Sequence, residues 1–222
     1  MFATEPITGA DLEEGTLVLT YDDGPGPNTM AVAEFLAERG VEATFFVVGE
    51  SAERLPHVPA RVRALGHRLG NHTWTHEIGG LTGQLERGGD IVDELMRTAE
   101  LLQASPAGAL PFRPPWGNWN SQVAAVLNAD ATLRAGHVGP FNWTIDCKDW
   151  AGWRDGLDPS VVASQYRAAA NAVGRGIVLM HDYTADIPEI AVKNRSAELT
   201  RALVPMLIAD GFRFVPLAAV RA

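Results

Sequence analysis

The feature that most constrains this chain is a repeated change of hydrophobic period. Leu17–Tyr21, Thr44–Val48, Arg68–His72, Leu110–Arg113, Phe141–Asp146, Ile177–His181 and Phe212–Leu217 are short, apolar and rich in β-formers, and they read as strands. Between them, Ala31–Arg39, Pro59–Leu65, Thr82–Gln103, Gln122–Leu127, Ser160–Val173 and Glu198–Ala209 read as helices from the spacing of their apolar residues. Asn28 stands where the first helix needs its N-cap. Strands that are apolar along most of their length are buried on both faces, which implies a parallel sheet covered by helices. About seven strand–helix units predict an α/β fold, a shortened (β/α) barrel with about seven parallel strands. A doubly wound open sheet is the competing arrangement. No internal repeat, low-complexity tract or Pro/Ser-rich linker interrupts the pattern, so residues 1–222 are read as one domain.

Composition narrows the function classes. With Lys+Arg 18 and Asp+Glu 27 the net charge is −9, and no basic patch is visible that could neutralise a phosphate backbone, so no nucleic-acid partner is expected. No apolar run reaches the ~18 residues of a membrane span, and no membrane partner is expected. The start, MFATEPITGADLEEG, lacks a basic segment followed by an apolar one. A cytoplasmic protein is expected from the chain as written, or a secreted one if an export signal has been removed. The expected assembly is a monomer. A single cysteine, Cys147, excludes a disulfide framework and a thiolate zinc cluster within one chain, and nothing marks it as activated.

The polar residues that break the apolar runs fall at the C-terminal ends of the strands. Asp22 and Asp23 follow the first, His72 and His76 the third, Arg113 ends the fourth, Asp146 and Asp149 follow the fifth, and His181 and Asp182 end the sixth. In a (β/α) barrel that rim is where catalytic residues gather. Taken alone, each group has an ordinary reading. Asp-Asp-Gly-Pro is a common turn composition, Arg113 could pair with a surface carboxylate, and His181 could simply be satisfied at a strand end. Read functionally, the four-residue spacing of His72 and His76 puts both imidazoles on one side of a helical turn, as zinc binding requires. Two adjacent carboxylates would let one bind a cation while the other stays free as a base. A histidine at His181 could act as a general acid. His57, His67 and His137 have no evident partners and are read as structural or exposed. Trp74, Trp116, Trp119, Trp143, Trp150 and Trp153 lie near the mouth segments, where aromatic faces suit sugar rings.

Five short strings in order then resemble the polysaccharide deacetylases of carbohydrate esterase family 4. They are TYDDGP (Thr20–Pro25), HTWTH (His72–His76), RPPWG (Arg113–Gly117), DCKDW (Asp146–Trp150) and LMHD (Leu179–Asp182). Tyr21 stands where the family usually has Phe. The resemblance implies a distorted (β/α) barrel and a metal, usually zinc, with cobalt or another divalent ion as alternatives. It implies Asp23, His72 and His76 as ligands, Asp22 as catalytic base, and Arg113 as the group that orients Asp22. It implies the backbone N–H of Trp116 as an oxyanion donor, His181 as acid and Asp149 as its partner. Trp150 and Leu179 would line the acetyl pocket, with Asp146 and Asp182 in supporting positions. The implied activity is removal of N-acetyl groups from N-acetylglucosamine-containing saccharides of chitooligosaccharide or peptidoglycan type. An acetylxylan esterase, a deacetylase of a small acetylated amino sugar or amide, and a catalytically dead sugar-binding module are the alternatives. The complete set of ionisable residues speaks against the last.

Overall fold

The computed structural model describes residues 1–102, 108–184 and 186–220. Its strands are β1 (Phe2–Ile7), β2 (Thr16–Asp22), β3 (Ala43–Val47), β4 (Arg68–Asn71), β5 (Leu110–Pro111), β6 (His137–Phe141), β7 (Ile145–Asp146), β8 (Arg175–His181) and β9 (Arg213–Phe214). Around them lie α1 (Thr29–Ala37), α2 (Gly49–Arg54), α3 (His57–Ala64), α4 (Gly80–Glu86), α5 (Ile91–Leu102), α6 (Ser121–Ala129), α7 (Ala131–Gly136), α8 (Asp149–Arg154), α9 (Pro159–Val173), α10 (Pro188–Ala191) and α11 (Ser196–Ala209). Every strand pairing among the described residues is parallel. One sheet runs β4-β3-β2-β8-β7, and the other β1-β6-β5. β3 pairs with Leu19–Tyr21 and β9 with Thr16 and Leu17, so the two share one edge of β2. A bridge between Asn71 and Phe112 joins β4 to the chain leaving β5. On the other side Asn142 N–H donates to Ile7 O and Thr144 N–H to Ile177 O, carrying the chain from one sheet to the other. The sheets thereby curl into a distorted (β/α) barrel.

Strand parity positions the site. All seven residues of β2 are buried. Leu17, Leu19 and Tyr21 pack into the main core with helix residues such as Val32, Leu36, Val162 and Leu203, whereas Val18 joins Phe46, Phe141 and Ile177 in a separate inner cluster. Successive side chains of a strand alternate faces, so Val18, Thr20 and Asp22 share the inner side. β8 repeats the pattern, with Val178 and Met180 in the main core and Ile177 in the inner cluster. Leu179 and His181 follow Ile177 on that side by the same alternation.

The strand reading holds in most places and fails in identifiable ones. β1 lies in FATEPI, which has no apolar alternation and buries only Phe2 fully; its pairing with β6 makes it a strand. The expected strand Phe141–Asp146 is two, because Asn142 and Thr144 change partners between the sheets. The expected helix Thr82–Gln103 breaks at Gly88, whose φ is 75°, and restarts where the Asp90 carboxylate accepts the Val92 and Asp93 N–H groups. Its last residue, Gln103, lies outside the described residues. Asn28 does precede α1, but its amide donates to the Asn194 carbonyl (2.9 Å) and makes no capping bond.

Candidate active site

At the C-terminal end of β2, parity turns Asp22 inward, and Asp23 reaches the same pocket only because its backbone is left-handed, with φ 73°. Such a conformation is strained for a residue with a Cβ and persists where the surroundings over-determine it. The His72–His76 segment repeats the device. It is an irregular turn rather than the expected helical one, with Thr73 and His76 at φ 68° and 55°. Its supports surround it: Thr73 N–H donates to Asn71 Oδ1 (2.9 Å) and His76 N–H to Thr73 Oγ1 (3.3 Å). Gly49 and Glu50 at the start of α2 donate to the Thr73 and Trp74 carbonyls. Glu94 of α5 accepts from the Trp74 and Thr75 N–H groups and from the Thr75 hydroxyl, each at 3.0 Å.

This packing makes Asp23, His72 and His76, all buried, converge. Asp23 Oδ1 is 3.5 Å from His72 Nε2 and 3.3 Å from His76 Nε2. Zinc bonds of ~2.0–2.1 Å at tetrahedral angles place neighbouring donors about 3.4 Å apart, so the set fits a small divalent cation. His72 Nδ1 donates to the Arg113 carbonyl (2.8 Å), which leaves Nε2 as its free donor nitrogen. Burial pushes the Asp23 carboxyl up, but the charge of His76 and the hydrogen bond with His72 outweigh it and hold it well below the carboxylate range. Burial pushes His76 down, and Asp23 and then Asp186 overcome this and raise it.

Asp22 stands beside this set, its Oδ2 3.6 Å from His72 Nε2. Its other oxygen accepts from Arg113 Nη1 at 2.7 Å. Arg113 is wholly buried and also donates to Thr20 Oγ1 (2.8 Å) and to the Phe141 and Asn142 carbonyls (2.9 and 3.3 Å), so it cannot follow Asp22 elsewhere. Across the pocket, Asp149 at the start of α8 accepts both the backbone N–H (2.8 Å) and the Nδ1–H (2.7 Å) of His181. Burial pushes this imidazole down, yet the Asp149 charge and hydrogen bond, with Asp23 and Asp22 beyond, bring it up to about 10. Asp182 points away from the pocket, accepts from the Thr29 hydroxyl, and is pushed up to about 7 by burial.

The pocket itself has a volume of ≈ 210 Å³, and Trp116, Trp143, Trp150 and Leu179 line it with Asp22, Asp23, His72, His76, Asp146 and His181. Trp116, at φ 61° in the turn after Arg113, is 46% exposed at the mouth. Trp74, Trp119 and Trp153 do not line it: Trp74 and Trp153 are buried, and Trp119 packs on Phe2 and Phe112. His67 and His137 are buried and structural, the latter pushed down to about 4 by burial. Burial pushes the Cys147 thiol up to about 11, as an inert cysteine requires. A larger groove of ≈ 520 Å³, lined by Glu42, His67, Arg68 and Pro111 among others, shares no lining residue with this pocket.

The sequence model of the family described as polysaccharide deacetylase matches residues 9–133, more than half of the chain. The chain belongs to that family. A chitooligosaccharide deacetylase of Azorhizobium caulinodans is 31% identical over 215 residues, covering 92% of this chain and 93% of the relative. A peptidoglycan-N-acetylglucosamine deacetylase of Bacillus cereus is 29% identical over 204 residues, covering 91% and 86%. Among solved structures, the Bc1960 peptidoglycan N-acetylglucosamine deacetylase, in complex with 4-naphthalen-1-yl-N-oxidanyl-benzamide, superposes with a TM-score of 0.72 at 26% identity, covering 96% of this chain and 91% of that one. The polysaccharide deacetylase resemblance read from the five strings is thus borne out, and with it the α/β barrel and the assignment to the hydrolases.

Sequence reasoning missed Thr20, Glu94, Lys148, Thr184, Asp186 and Ile187. Thr20 and Glu94 brace the site, and the other four line the pocket. Glu94 lies on the polar side of a helix and Asp186 in an irregular loop, and neither place carries a periodic signal. Thr20 alone was legible, through its parity with Asp22 on β2.

Proposed function

We propose that this polysaccharide deacetylase removes N-acetyl groups from N-acetylglucosamine-containing saccharides of the chitooligosaccharide or peptidoglycan type. The observation that carries the reading is the placement, around one pocket, of an Asp-His-His donor set, a carboxylate held by a buried arginine, and a carboxylate-backed histidine. Asp23, His72 and His76 would hold the cation, which we take to be zinc. That ion would supply Lewis acidity, making a water nucleophilic near neutral pH and polarising the acetyl carbonyl.

The remaining roles belong to the chain. Asp22 accepts the proton of the water that attacks the acetyl carbon, and Arg113 keeps its carboxylate beside the donor set without letting it join. The Trp116 N–H donates to the oxygen that becomes negative as the carbon turns tetrahedral. The carbon–nitrogen bond then breaks, and His181 delivers a proton from Nε2 to the departing nitrogen, because Asp149 occupies Nδ1. The products are acetate and a free amino sugar. Leu179 and Trp150 bound the acetyl methyl group. Strands from Phe2 to Phe214 enter the same two sheets, which supports one catalytic domain over residues 1–222.

Acetate release tests the reading, using chelated protein before and after zinc or cobalt is added. The substrates are N-acetyl chitooligosaccharides, peptidoglycan fragments, acetylated xylan and monomeric N-acetylglucosamine. Metal-dependent release from the first two is expected. Preference for xylan would convert the assignment to an esterase, and preference for the monomer to a metabolite amidohydrolase. No release from any of them would refute the reading.

A further inference from the structure

The two histidines of the donor set are braced differently. His72 has its Nδ1 tied to a carbonyl at 2.8 Å. His76 Nδ1 is buried and makes no hydrogen bond among the described residues. Facing it, Asp186 Oδ1 is 3.7 Å away, and Asp186 Oδ2 is likewise buried without a partner. Buried polar atoms are rarely left unpaired, and here each of two side chains that face each other carries one, which points to one interaction between them. Bringing them to hydrogen-bond distance needs a movement of roughly 0.8 Å, within reach of a side-chain rotation. His76 Nε2, on the other side of the ring, already faces Asp23 at 3.3 Å.

We propose that Asp186 is a positioning residue of the metal centre: its carboxylate accepts the Nδ1–H of His76 and holds that ring with Nε2 directed at Asp23 and His72. The proposal rests on the metal reading given above and adds a residue to it. A carboxylate on the far nitrogen of a ligating histidine fixes the tautomer and raises the basicity of the nitrogen that binds. Asp186 does not belong to the donor set itself, since the group whose atoms lie within 4.8 Å of one another is Asp23, His72 and His76. It follows His181 on the same stretch of chain, and Thr184 and Ile187 beside it line the same pocket. One loop thus carries the acid of the reaction at its start and the brace of a metal ligand further on.

The test is zinc affinity of the full chain, measured by competition with a chelator, together with the visible spectrum of the cobalt-loaded protein. Asp186→Ala should bind zinc about 10–100-fold more weakly, while its cobalt spectrum at saturation keeps the wild-type coordination number. Asp186→Asn retains an accepting oxygen and should lose less than tenfold. Should Asp186→Ala fail to fold, Asp186→Ser is judged by the same criteria. Wild-type affinity in Asp186→Ala would overturn the proposal. So would a cobalt spectrum showing one ligand fewer, which would make Asp186 a ligand, or an Asn variant as weak as Ala, which would make the effect one of charge. A wild-type protein that binds no zinc would instead sink the metal reading itself.

Discussion

Arg113 is a full positive charge with no exposure to solvent, its guanidinium carbon 4.2 Å from the Phe46 ring centre. It is tolerable there because each of its three nitrogens meets an acceptor, one of them the Asp22 carboxylate. Arg113→Met should therefore cost about 3–5 kcal/mol in chemical denaturation, since it leaves the Asp22 carboxylate buried without its cation. Asp22→Asn is a gentler change, because the amide oxygen can still accept from Arg113. It should keep zinc affinity and lower kcat by roughly 10²–10⁴, the usual range for a lost general base; normal turnover would refute the role. Tyr21, where Phe is usual, has a local explanation. Its hydroxyl donates to Thr200 Oγ1 (2.8 Å), which itself donates to the Ser196 carbonyl. Tyr21→Phe should lose about 1 kcal/mol of stability and leave acetate release unchanged, because the ring points into the helix layer, away from the pocket.

Among the elements, β2 and β8 carry Asp22 and His181 at their ends, and the helices brace the loops that follow the strands. α5 shows how. Its apolar side packs Ile91 and Leu95 against Leu81, Phe112 and Val123. Its polar side offers Glu94 to the turn between His72 and His76. That turn includes left-handed residues and cannot hold itself by regular backbone pairing. Glu94→Ala should loosen it, costing about 2 kcal/mol of stability as charge-assisted bonds are lost. Zinc affinity should fall as well, although Glu94 contributes no ligand. Thermal melts of the metal-free protein and zinc titrations separate the two effects, and unchanged affinity would show that the turn stands without α5.

The whole molecule sets the electrostatics of the pocket. Carboxylates gather at one end of the barrel, and His181 feels three of them, Asp149, Asp23 and Asp22. Because its pKa is raised to about 10 in the folded chain, from an ordinary value near 6.5, its contribution to stability is complete below pH ~6.5 and fades as pH rises toward 10. The alkaline limb of kcat/KM should report the same proton. Asp149→Asn removes the largest upward influence, so that limb should move to lower pH; an unmoved limb would mean another group supplies the proton. The acidic side belongs to metal binding. His76 must be unprotonated for its nitrogen to bind, and its raised pKa means that, as pH falls, zinc affinity should begin to weaken already above the ordinary histidine range. Chelation should abolish activity and leave the far-ultraviolet circular dichroism unchanged, since Asp23, His72 and His76 stand in the segments that follow β2 and β4, outside the hydrophobic clusters that hold the strands and helices together.

The sequence by itself determined the alternation of strand and helix, the parallel sheet, and the ionisable residues at the strand ends. These are local quantities: period, burial along a strand, and the residue that follows an apolar run. Asp22, His72, Arg113 and His181 were legible because each stands at the end of such a run or immediately after it. Only the tertiary structure decided that Asp23 and His76 turn into the pocket, since a left-handed backbone leaves no periodic trace. It also decided that Phe141–Asp146 divides between two sheets, that three of the six tryptophans line the mouth, and that Glu94 and Asp186 stand behind the turn from His72 to His76. Those facts depend on which segments meet in space, and a hydrogen bond between residues far apart along the chain leaves no signature in either neighbourhood.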